Sequence, residues 1–195
     1  MATDTGGAST QLRELADLAA VVAESPLCGD LEAVAEMVLE VLANGHSLFF
    51  CGNGGSAADA QHLAAEYVVR FRRKRRALAA LALTTDTSVI TAGGNDFGFA
   101  TVFARQVEAL GREGDVLFLH STSGESENLL LAADAARARG MRTVALLAKG
   151  GGRLGERVER ALVVPTTVIS RAQEIQLAMG HVICELVDRA LADAE

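Results

Sequence analysis

The residues best equipped for chemistry lie in CGNGGSAADAQHLAAEY, Cys51 to Tyr67. Three glycines, an asparagine and a serine fill positions 52–56, and His62 and Glu66 follow, four residues apart. Glycine in a turn after an apolar run lets a ligand approach the backbone closely. The start of the next helix presents free N–H groups and a positive dipole end, which suit an anion. An imidazole and a carboxylate one helical turn apart can hold a metal ion or move protons. They can equally form an ordinary surface pair. On a helix, Asp59, His62, Glu66 and Arg70 fall within a sector of roughly 80°. Such a stripe alone reads as a solvated face; its start at a phosphate-type turn favours a site.

A second turn, STSGES at 121–126, follows another apolar run. Hydroxyls donate hydrogen bonds without adding charge, so Ser121, Thr122, Ser123 and Ser126 read as a phosphate cradle, with Ser56 joining from the first turn. The competing reading is that they are turn formers and helix caps. Neither turn is GxGxxG, and no GxxxxGK[ST] occurs, which disfavours dinucleotides and nucleoside triphosphates. A single phosphate on a small molecule fits better. Near the C-terminus, Ser170 and Gln173 have capping-box spacing, close to Arg171 and Glu174. His181, among Met179, Val182 and Ile183, reads by itself as a core histidine.

The elements that must position these residues alternate. The spacing predicts helices over 11–24 and from an N-cap at Asp30 to Gly45, with residues 1–9 frayed. A strand at 47–51 leads through the glycine turn into a helix over 56–71. A strand is expected at 77–83, a glycine-rich loop at 93–98, and a helix at 100–110. Strand 116–119, the serine turn, helix 128–139, strand 143–147, a GGG turn at 150–152, strand 161–164 and a long helix over 170–192 complete the chain. Strands alternating with helices imply an α/β fold with a mostly parallel sheet covered on both faces. The segments LFFCGNGGSAADAQHL and LFLHSTSGESENLL share one plan, which places two comparable turns at strand carboxyl ends, where open α/β sheets bind ligands.

At 195 residues the chain suits a single domain over 1–195, and half of it is hydrophobic. A net charge of −7 argues against nucleic acid as the main partner. The basic run at 72–76 is a local exception, read as a solvated helix end or an interface in preference to a nucleic-acid patch. Three scattered cysteines form no CxxC pair, so neither a disulfide framework nor a cysteine zinc site is expected. No signal peptide or membrane-length apolar run is visible, and a cytoplasmic setting is the expectation.

GNGGSAADAQHLAAE, GNDFGF, REGDVL, STSGES and RAQE with a histidine eight residues past the glutamine together resemble the bacterial phosphoheptose isomerases, members of the sugar isomerase (SIS) class. The resemblance runs from about residue 48 to 187. It implies a three-layer sandwich with a five-stranded parallel sheet, a homotetramer with shared active sites, and interconversion of sedoheptulose 7-phosphate and D-glycero-D-manno-heptose 7-phosphate through an enediolate. It implies substrate contacts from Asn53, Gly54, Ser56, Glu66, Asn95, Asp96, Ser121, Thr122, Ser123, Ser126 and Gln173. Glu66 and His181 match the acid–base pair, and His62, Glu66, Gln173 and His181 match a zinc site. Gln173 and His181, if both helical, stand about 12 Å apart along the axis. Three departures stand out: Glu125 for an asparagine, Gln176 for a histidine and Ser170 for an aspartate. Other readings are a tetrameric, non-catalytic relative that binds the bacterial replication initiator, or an isomerase for another phosphosugar. Retention of Glu66, Gln173 and His181 favours catalysis.

Overall fold

A computed structural model describes residues 7–192. Five strands, β1 (Leu48–Gly52), β2 (Ala80–Ala82), β3 (Val116–His120), β4 (Arg142–Leu147) and β5 (Arg160–Val163), form one sheet in the order β2-β1-β3-β4-β5. Every pairing is parallel. β1 and β3 are buried along their whole length, as continuous apolar runs in a doubly covered parallel sheet require.

Successive residues feed opposite cores. Leu48, Phe50, Val116 and Phe118 pack beneath α2 (Leu27–Ala43), α3 (Gly55–Val68) and α8 (Ile169–Ala192). Phe49, Cys51, Leu117 and Leu119 face α5 (Val102–Leu110) and α6 (Glu127–Ala138) on the other side. This is the three-layer α/β sandwich expected. Among the described residues, no helix is long and apolar enough to cross a membrane.

Several boundaries differ from expectation. α1 spans Ala8–Ala23, so residues 8 and 9 are helical; residues 1–6 lie outside the described part. α2 starts at Leu27, with Asp30 inside its first turn where the dipole favours an acid, and not at the cap. The loop expected at 93–98 is largely helix: α4 covers Thr87–Phe97, begun by Asp86, whose carboxylate accepts the Val89 N–H at 3.0 Å. Two internal glycines are tolerated there, and Gly98, at φ 85°, ends the helix. A short 3₁₀ turn, Phe99–Thr101, then leads into α5, and α7 (Gly152–Gly155) follows the GGG turn. α8 begins before Ser170, so Ser170 and Gln173 form no capping box.

The strand order sets the position of the site. From β1 the chain moves to one side, to β2; from β3 it moves to the other. The β1/β3 boundary is the topological switch point, where open α/β sheets leave a crevice beyond the strand carboxyl ends. The glycine turn leaves β1 and the serine turn leaves β3, so both open into that crevice.

Candidate active site

Each glycine of the first turn has its own reason. A Cβ at Gly52 would lie 2.5 Å from the Ser56 carbonyl oxygen, so the first turn of α3 sits directly on the strand end. Gly54 adopts φ 56° and ψ −122° at the helix entrance, a backbone shape that side chains resist. At Gly55, a Cβ would meet Nε2 of Gln173 at 2.6 Å, so α8 lays that amide against the turn.

The two turns are tied together. Asn53 Nδ2 donates to Asn128 Oδ1 at 2.9 Å, and Asn128 Nδ2 returns the bond to Asn53 Oδ1 at 2.8 Å. Asn128 is buried, in the first turn of α6. The sequence reading overlooked it. Its place shortly after the second turn, mirroring asparagine in the first, was the available signal.

Within the serine turn, Ser121 Oγ accepts the Gly124 N–H at 3.0 Å and Ser123 Oγ accepts the Glu125 N–H at 3.2 Å. These hydroxyls are therefore turn formers, yet each still has its proton to donate. Turn formation and donation to an anion are thus compatible roles for the same hydroxyls. Ser126 is the N-cap residue of α6 without a side-chain cap bond, which leaves its hydroxyl and the helix N–H groups available to an anion. Gly124 and Gly152 touch backbone of the opposing loop, so the GGG turn braces the serine turn from outside.

Glu125 does not face the crevice. Its carboxylate accepts from Arg153 Nε at 2.7 Å and from the Arg153 amide at 3.0 Å. Those hydrogen bonds hold its pKa below the usual carboxylate value. Its charge is thus neutralised on the outer side of the turn. Gln176, the second departure, is fully buried and donates to the Ser121 carbonyl at 3.2 Å, steadying the turn from α8.

Further along α3, three groups converge. His62 Nε2 and His181 Nε2 are 2.8 Å apart, and Glu66 Oε1 stands 3.4 Å from His62 Nε2. One ligand atom from each residue lies within 4.8 Å of the others. Burial first, then the neighbouring His62, pushes the His181 pKa down, with Glu66 opposing. Phe71 stacks on the His181 ring at 5.5 Å. His181 is therefore a site-facing residue and not the core histidine that its neighbours suggest. Asp59, on the same stripe, is raised by burial against the opposing effect of His62.

Two nitrogens and a carboxylate suit a divalent transition metal and leave a coordination position open. A tetrahedral ion bound at about 2.1 Å separates its ligands by roughly 3.4 Å, the spacing of the His62–Glu66 pair, while the two imidazole nitrogens, 2.8 Å apart, would have to part slightly. Gln173 does not join this trio within one chain. α3 and α8 run side by side in the same direction, with Gln173 at Gly55 and Gly180 at Leu63. Being helical, Gln173 is about 12 Å up the axis from His181, beside the glycine turn.

Asn95 and Asp96 are exposed near the end of α4 and hydrogen-bond to each other at 2.7 Å. α4 has no buried residue in this single chain. His120, at the end of β3, was not singled out from the sequence. It is fully buried, neither ring nitrogen has a hydrogen-bond partner among the described residues, and burial pushes its pKa down to about 4.

A parallel five-stranded sheet with two hydroxyl- and glycine-rich turns at its switch point defines a domain of the sugar isomerase class, and the SIS domain family profile matches residues 12–148. A phosphoheptose isomerase of Akkermansia muciniphila is 52% identical over 165 residues, covering 85% of this chain and 87% of its own. One from Roseiflexus is 54% identical over 159 residues, covering 82% and 81%. Among solved structures, a phosphoheptose isomerase from Neisseria gonorrhoeae superposes with a TM-score of 0.87 at 41% identity, over 93% of this chain and 96% of that one. One from Francisella tularensis gives 0.89 at 34% identity, with the same coverage. The chain belongs to the phosphoheptose isomerase family of aldose–ketose isomerases.

Proposed function

We propose that the protein converts sedoheptulose 7-phosphate to D-glycero-D-manno-heptose 7-phosphate for heptose biosynthesis. The observation that carries this reading is the meeting of Glu66 and His181 below a phosphate-type crevice on the same helix pair. α3 rises about 9 Å from Ser56 to His62. An extended seven-carbon sugar phosphate can span that distance.

Ser56, Ser121, Thr122, Ser123 and Ser126, with the N-termini of α3 and α6, hold the phosphate, and Asn53 and Gly54 shape the crevice. Gln173 contacts the sugar between phosphate and reacting carbons. Glu66 removes the proton from C1 of the ketose and returns it to C2. His181 moves the hydroxyl proton of O1 to O2 through the enediolate, so that the carbonyl passes from C2 to C1 and no proton is gained or lost. A zinc ion held by His62, Glu66 and His181 would polarise the substrate carbonyl.

We further propose a cytoplasmic homotetramer. The apolar face along Ala19, Val22, Leu31, Met179, Val182 and Leu186, and the uncovered α4, support assembly. Assembly would also bring Asn95 and Asp96 to sites completed by neighbouring subunits. The free Cys28, Cys51 and Cys184 suit a reducing compartment.

The deciding experiment is turnover of sedoheptulose 7-phosphate by wild type, with and without chelator, beside Glu66→Gln. That change keeps shape and hydrogen bonding but removes the base, and kcat should fall by about 10²–10⁴-fold. Wild-type turnover by Glu66→Gln would overturn the assignment of the base; a wild type inert towards the heptulose phosphate would overturn the substrate.

A further inference from the structure

The basic run at 72–76 folds back onto the end of α3. The Arg75 side chain is 2% exposed and that of Asp188, on α8, is 1% exposed, with Nε donating to Oδ1 at 2.9 Å. The same guanidinium reaches the carbonyls that close α3: Nη2 donates to Glu66 O at 2.7 Å, and Nη1 to Tyr67 O at 2.9 Å. Asp188 Oδ2 accepts the amide N–H groups of Arg73 at 2.7 Å and Arg72 at 3.1 Å. Burial pushes the Asp188 carboxyl up, but the Arg73 and Arg72 amides and Arg75 outweigh it and hold its pKa below the ordinary value.

The last carbonyls of a helix have no partner within it and carry the negative end of its dipole. Here a buried cation supplies a partner to the Glu66 carbonyl and shares the Tyr67 carbonyl with the Leu78 N–H. Only the planar fork of arginine can satisfy two successive carbonyls and a carboxylate at once. α3 ends at Val68, so Glu66 stands in its final turn, where fraying starts. Asp188 fixes the other end of the fork to the helix that carries His181, two turns away.

We propose that Arg75 and Asp188 are positioning residues, a buried pair that clamps the last turn of α3 to α8 and so sets Glu66 and His62 against His181. The inference rests on the isomerase reading only for its kinetic consequence. In that reading the phosphate is held at the opposite end of α3, so loosening the clamp disturbs the proton-transfer groups and spares the phosphate contacts.

The test uses Arg75→Lys, Arg75→Met and Asp188→Asn in the full chain, with kcat and KM for sedoheptulose 7-phosphate and the ¹⁵N imidazole shifts of His62 and His181. Arg75→Lys keeps the charge but loses the fork. It should remain folded by circular dichroism, lower kcat by about 10- to 10²-fold with KM nearly unchanged, and abolish the shift signature of the His62–His181 contact. A folded variant with wild-type kcat and unaltered imidazole shifts overturns the proposal. So does loss of folding in all three variants, which would make the pair purely structural. If wild type does not turn over the sugar, the functional reading fails, and the imidazole shifts alone decide the clamp.

Discussion

Asn53 and Asn128 exchange two amide hydrogen bonds, 2.9 and 2.8 Å long, across the switch point of the sheet. The pair joins residues 75 positions apart and makes one crevice of two turns. Asn128 is buried, so removing Asn53 leaves its amide without partners. Asn53→Ala should cost about 1–3 kcal/mol in urea unfolding, raise KM for the phosphosugar, and be markedly non-additive with Asn128→Ala. Additive losses would show that the two turns act independently.

The serine turn predicts a different kinetic pattern. Ser121→Ala with Ser123→Ala removes two neutral donors worth about 1 kcal/mol each, so phosphosugar binding should weaken by about 10- to 30-fold. kcat should change less than KM, because the proposed proton-transfer groups, Glu66 and His181, lie further along α3. Isothermal titration with the sugar phosphate, on protein whose folding has been checked, reads this directly; unchanged affinity would leave the turn with a structural role alone.

His120 gives a pH dependence whose sign can be worked out. Burial holds its folded pKa at about 4, against about 6.5 when unfolded. Between those values the unfolded chain binds more protons. Stability from this residue is therefore intact above about pH 6.5 and falls as pH drops towards 4. The full loss is on the order of 3 kcal/mol. His120→Leu, which fills the space without a titrating group, should flatten the urea-unfolding profile over that window relative to wild type. Parallel profiles would contradict it.

Much of this was legible in the sequence because burial on both faces writes itself as uninterrupted apolar runs: Leu48-Phe49-Phe50 and Val116 to Leu119 stand out for that reason. The order of strands was not legible, since periodicity carries no record of neighbours. α4 was hidden by Gly93, Gly94 and Gly98, which outweighed the cap at Asp86. The trio of His62, Glu66 and His181 joins two helices over a hundred residues apart, and spacing along one helix shows only the first two. Arg75 was submerged in a run of five basic residues of which only its side chain is so deeply buried; charge patterning cannot separate that one from its neighbours. The resemblance supplied Gln173, while the contact with Gly55 shows where its amide lies in a single chain.

The side-by-side course of α3 and α8 also makes chain length part of the chemistry. Gln173 lies at Gly55 and His181 at His62, so the two helices keep step over two full turns. One extra residue between Gln173 and His181 would swing the histidine by about 100° and slide it about 1.5 Å, turning it away from its partners with every side chain still present. Substitutions along this stretch act one residue at a time, whereas an insertion or deletion acts on every later contact at once, down to Asp188. The interval between the glycine-turn end and the trio of His62, Glu66 and His181 is a fixed gauge, and a protein that keeps all these residue types but changes that interval would no longer bring them together.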